Sequence, residues 1–142
     1  MDPRVKALWV AALRSGKYQQ GEGHLRRKKN GLTEGHIAYC CLGVLTDLMI
    51  IEVGDETKAK WSPDILQSFE FWSGNPFEQE GQMLPHPVQR WAGLDAVFGA
   101  KVLIDGEYAS LTYHNDGYDE EAGCLVTKKT FEQIATAIEE QL

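Results

Sequence analysis

Basic residues are scarce: 14 Lys and Arg stand against 21 Asp and Glu, a formal net charge of −7 at pH 7. Neutralising a phosphate backbone takes a basic face, so this balance excludes general DNA or RNA binding. Long apolar runs are missing as well. No stretch approaches the ~20 residues that cross a bilayer as a helix, and the first residues lack the basic-then-apolar order of a secretory signal. Three cysteines, of which Cys40 and Cys41 are adjacent, are too few for a disulfide framework. A protein of a reducing cytoplasm, with no membrane span, is the expectation. The histidines (His24, His36, His86, His114) and cysteines show no CxxC, HxxxH or HExxH spacing, so no metal is expected. A phosphate loop is absent too, because Gly21-Glu22-Gly23 lacks both a third glycine and a following helix. No cofactor is expected.

What is present is organised around residues 35–49, the longest nearly charge-free run in a chain of 142 residues. It opens on a β-leaning piece (Ile37, Tyr39). Leu42, Leu45, Thr46, Leu48 and Met49 then follow at the spacing of a helix face. Upstream, Asp2 reads as an N-cap and Pro3 as the first helical residue. Val5, Leu8, Trp9, Ala12 and Leu13 form one apolar stripe that Gly16 ends. Residues 18–30 have no helical period and read as a short strand, a turn near Asn30-Gly31 and a return strand to Tyr39. The central helix is expected over about 40–51. An irregular excursion follows at about 52–82, with an aromatic strand at Phe69, Phe71 and Trp72. A short helix carries Val88, Trp91 and Leu94. A hairpin turns at Asp105-Gly106 with its second strand running from Tyr108 to His114, and Asn115-Asp116-Gly117 reads as a turn. Thr130 and Gln133 match a capping box before a last helix lined by Phe131, Ile134, Ala135, Ile138 and Leu142. The expected fold class is therefore α+β: a single domain over 1–142, with a small antiparallel sheet packed against three to four helices.

Two kinds of site can be drawn from these residues. A thiol at a helix start is favoured as thiolate by the helix dipole. Cys40, or Cys41, with His114 and Asn115 then has the composition of a papain-like hydrolase. The alternative is that both thiols pack in the core and His114-Asn115-Asp116 closes a turn. The second site is a binding one. The basic run Arg26-Arg27-Lys28-Lys29 could meet phosphate, the aromatics Tyr39, Trp72, Trp91 and Tyr113 could stack on a base, and Asn115 and Asp116 could hydrogen-bond a ribose. Each has a bland counterpart: a solvated charged turn, core aromatics, and a turn or cap.

Four landmarks carry a resemblance that spans nearly the whole chain: Trp9 to Gly21, Tyr39 to Leu45, Leu84 to Leu94, and Asn115-Asp116 with Phe131 to Ala135. In these the chain resembles a family of small proteins of tailed phages and prophages. The Tyr-Cys-Cys-Leu-Gly-Val-Leu core and the Leu-Pro-x-x-Val-x-x-Trp-Ala-Gly-Leu segment are its marks. An apolar residue usually fills the place of His114 in that pattern, which weakens the thiol triad, and the stretch Gly117 to Lys129 is longer here. The resemblance brings no reaction with it. It does imply a phage accessory role against host defence, by analogy of setting. The expected function is capture of a nucleotide-type immune signal, such as a cyclic ADP-ribose derivative or a cyclic oligonucleotide. Arg26 and Arg27 would hold phosphate, Tyr39 or Trp91 would stack, and Asn115 and Asp116 would read ribose hydroxyls. The pocket could be completed in a homo-oligomer. Two alternatives stay open: the thiol hydrolase of Cys40, His114 and Asn115, and an inhibitor that binds a host defence protein through Phe69 to Trp72.

Overall fold

Asp2 starts the first helix as the sequence implies. Its carboxylate accepts hydrogen bonds from the backbone N–H groups of Arg4 and Val5, and α1 runs over Pro3–Arg14. The computed structural model describes residues 1–28, 36–63, 68–73, 79–119 and 124–142. The expected turn at Asn30-Gly31 falls outside them. Two short strands, β1 (Gln19–Gln20) and β2 (Arg26–Lys28), precede β3 (Ile37–Tyr39), and Cys40 caps α2 (Cys41–Thr57). The rest comprises β4 (Lys60–Pro63), β5 (Ser68–Trp72), β6 (Gln79–Glu80), α3 (His86–Ala92), β7 (Lys101–Ile104), β8 (Glu107–Ser110), α4 (Leu111–Asp116), β9 (Tyr118–Asp119), β10 (Cys124–Leu125) and α5 (Phe131–Gln141).

The main sheet has the order β1-β3-β2-β5-β4, with β6 also on β5. β1 lies parallel to β3, and the other pairs are antiparallel. The chain is thus an α+β domain whose small mixed sheet packs with several helices. Within stretch 52–82, expected to be irregular, the described residues finish α2 and supply β4, β5 and β6. The hairpin of β7 and β8 forms as expected. Asp105 and Gly106 both take positive φ, the turn whose twist matches two flanking strands.

One correction bears on function. Tyr108 to His114 is not a single strand: the strand stops at Ser110, whose hydroxyl caps α4 by accepting from the Tyr113 N–H. His114, Asn115 and Asp116 are therefore helical residues, and Gly117 (φ +80°) ends the helix with its N–H on the Tyr113 carbonyl.

The core gathers on the first half of α2. Residues 41–46 are all buried, so this helix is wrapped on every side. Trp9, fully buried on α1, donates its indole N–H to the Cys41 carbonyl at 3.0 Å and satisfies a polar group inside the core. At Gly43 the chain before β2 comes so close that a Cβ would lie 1.7 Å from the Leu25 carbonyl oxygen. No other residue type fits there.

Candidate functional site

Asn115 is the joint on which the site is built. Its Oδ1 accepts from the Cys41 backbone N–H (3.2 Å) and from Gln20 Nε2 (3.1 Å). Its Nδ2 donates to the Gly21 carbonyl (2.8 Å) and to Asp116 Oδ1 (2.7 Å). Two donors on one side and two acceptors on the other fix the amide orientation and use its full bonding capacity. Asp116 completes the clamp, its Oδ2 accepting from the Gly23 N–H at 3.2 Å. The segment before β2, the start of α2 and the end of α4 are thereby held as one rigid unit.

This unit walls a cavity of about 520 Å³, within the size range of small-molecule sites. Glu22, His24 and Asp116 give it a polar side, while Cys40, Met83, Phe98 and Tyr113 give it an apolar one. The rings of Phe98 and Tyr113 stack on each other at 6.0 Å with 26° between their planes. Phe98 is 37% exposed and Met83 38%, so the apolar rim is open to solvent. No Lys or Arg is among the described lining residues. Lys128 forms an ion pair with Glu22.

Electrostatics set the character of the groups. Burial pushes the Cys40 thiol up to about 12, against the pull of the Gly43 N–H that its sulfur accepts; the charge of Asp116 raises it further. The helix N-terminus is therefore outweighed, and at neutral pH Cys40 is a thiol. Cys41 is raised too, by burial and then by its neighbour Cys40, and its thiol faces the Leu111 carbonyl at 3.5 Å. Burial also raises Asp116 above the usual carboxylate range, offset in part by the donors Asn115 and Gly23. His24 Nδ1 is buried and has no hydrogen-bond partner among the described residues.

The residues singled out from sequence lie in several places. Asp116, Cys40 and Tyr113 line the cavity, and Asn115 stands behind them with its amide fully engaged. His114 is fully buried on α4. Its Nε2 lies 3.1 Å from the Val102 carbonyl, which can only accept, so that nitrogen carries the proton. The ring is thus bonded to β7 instead of to Cys40. Arg26 and Tyr39 meet each other elsewhere: the guanidinium lies 5.5 Å from the Tyr39 ring and 5.4 Å from the Trp61 ring. Tyr18 and Trp61 bracket the same group by donating to the two carboxylate oxygens of Asp47, at 2.8 and 2.7 Å. Arg27 is half-buried on β2, and Trp91 is half-buried on α3 against the core. None of Arg26, Arg27, Tyr39 and Trp91 is among the described residues lining the cavity. In the aromatic stretch of β5, Phe71 is fully buried and Trp72 packs with Lys60, whose ammonium lies 4.7 Å from the ring.

Sequence reasoning missed Glu22, Phe98 and Met83, weighed His24 only as a metal ligand, and named Tyr113 as a stacking ring while reading it as a strand residue. A local signal existed for one of them. Had Ser110 been read as an N-cap, Tyr113 and Asp116 would have fallen three apart on one helix face. Among the described residues no group of three or more His, Cys, Asp or Glu could hold a metal ion, and no helix is long and apolar enough to cross a membrane.

No curated protein and no solved structure matches the chain. The match to a family of domains is complete, covering residues 1–142, and the chain belongs to the domain-of-unknown-function family DUF8296.

Proposed function

We propose that the protein binds a small nucleoside-type ligand in the cavity between α2 and α4. In the tailed-phage setting that the resemblance implies, it would sequester a nucleotide signal of host defence. One observation carries this reading: an aromatic wall, Phe98 and Tyr113, lies in the same cavity as the hydrogen-bonding side of Glu22, His24 and Asp116. A base stacks on the first and a ribose or base edge bonds to the second. Stacking is thus assigned to Phe98 and Tyr113, and phosphate is left toward the mouth, since the lining carries carboxylates and no described cation.

The test is a thermal-shift screen against nucleosides, nucleotides, cyclic dinucleotides and ADP-ribose derivatives, with each hit chromatographed after release by denaturation. A ligand at ~100 times its dissociation constant adds about 2.7 kcal/mol, a shift of several degrees for a domain of this size. Release of the ligand unchanged supports sequestration. A converted ligand favours a second reading, a thiol enzyme, for which the specific observation is that Cys40, His24 and Asp116 line the same cavity. A panel without any shift overturns the nucleoside reading and directs attention to a protein partner.

A further inference from the structure

The cavity holds one carboxylate whose position is fixed from both sides. Asp116 Oδ1 takes the Asn115 amide and Oδ2 takes the Gly23 N–H, so the group cannot swing. Each oxygen has a second lone-pair direction left. A carboxylate presented in this way accepts two parallel N–H bonds from a planar partner. Glu22 lines the same cavity but is paired with Lys128, whose charge also reaches Asp116; none of the described lining residues is a Lys or Arg. Phe98 and Tyr113 line the same cavity, and an aromatic face beside the carboxylate suits a ring lying in the plane of those two bonds. Burial of Asp116 makes its bare charge costly and so favours a partner that donates to it.

The geometry points to Asp116 as the reader of a planar edge with two adjacent N–H donors, the N1–H and exocyclic amine of a guanine base stacked on Phe98 and Tyr113. This rests on the nucleoside reading above and narrows it. Adenine and uracil lack such an edge, and hypoxanthine has the ring N–H without the amine. The same donor pair occurs in a guanidinium group, so the two sources must be told apart.

The experiment is calorimetric titration of the full chain with guanosine, inosine, adenosine, uridine and methylguanidine, repeated on Asp116→Asn and Phe98→Ala. Guanosine should bind roughly tenfold to a hundredfold tighter than inosine, the worth of one hydrogen bond to a charged group. In Asp116→Asn that preference should vanish, because an amide offers one acceptor and one donor. Phe98→Ala should weaken all nucleosides together and leave their order intact. Equal binding of guanosine and inosine would overturn the inference while keeping the nucleoside reading. Binding of methylguanidine alone would uphold the donor edge and overturn the nucleoside. No binding by any of the five overturns both. If Asp116→Asn does not fold, the guanosine-to-inosine ratio of the unaltered chain decides.

Discussion

Asn115 and Cys41 stand 74 positions apart, yet the side-chain oxygen of the first takes the backbone N–H that opens α2 at 3.2 Å. The first N–H groups of a helix have no partner within it. Here the partner comes from α4, so the end of one helix fixes the start of another, and the cavity lies where they meet.

Asn115→Ala removes that partner and leaves the Gly21 carbonyl without its donor. Each buried group so orphaned costs about 1–3 kcal/mol. Denaturant titration should show a midpoint loss of that order, with the slope unchanged. Binding should fall with it, because Asp116 loses a tether.

Gly43→Ala would ordinarily strengthen a helix interior by roughly 1 kcal/mol. The Leu25 carbonyl at 1.7 Å from the added Cβ reverses the sign. We expect a loss of about 3 kcal/mol or more, because backbone must move. A variant as stable as the parent would refute this packing.

Glu107 is held down to about 2, chiefly by the Lys129 ammonium and then by the Thr127 N–H; its ordinary value is 4.5. A lowered folded value means that the unfolded chain takes the proton first as pH falls. The stabilisation is complete above about 4.5 and is lost progressively toward pH 2. Melting curves of the parent and Glu107→Gln should therefore differ by a constant amount near neutrality and converge at the acid end.

Cys40 should react slowly with iodoacetamide at pH 7. A thiol near 12 holds roughly a thousandth of the thiolate of one at 9, and the rate should climb about tenfold per pH unit through the alkaline range. Mass spectrometry of the alkylated chain follows this directly. A rate at or above that of an ordinary thiol would speak for the enzyme reading.

Both terminal helices were legible because their signals are local: Asp2 and Thr130 with Gln133 are caps, each followed by an apolar stripe. The start of α2 was legible by its change of pattern, but its end was not. Gly54 and Asp55 look like breakers, yet the helix continues to Thr57 and turns at Lys58, which takes positive φ itself. Gly54 sits inside because Ala59 folds back on it, leaving a Cβ only 3.0 Å from that carbonyl. Tyr108 to His114 misled through its aromatic and β-branched content, which outweighed the serine cap in its middle. The cavity was legible only in part. Cys40, Tyr113 and Asp116 were named, but the residues that line the cavity with them come from segments near 22, 83 and 98, and no periodicity connects such positions.

Helices α1 and α5 pack side by side, with Arg14 bonded to Glu132, Thr136 and Glu139 and Lys6 to the Glu139 carbonyl. During synthesis α1 emerges well before α5, and the part of its apolar stripe that α5 covers stays open until residues 131–141 have left the ribosome. The α1–α5 contact joins positions more than a hundred residues apart, the kind of non-local contact that slows folding. Stalled or truncated chains would carry that stripe unburied, and quality control in the cell would meet them as substrates.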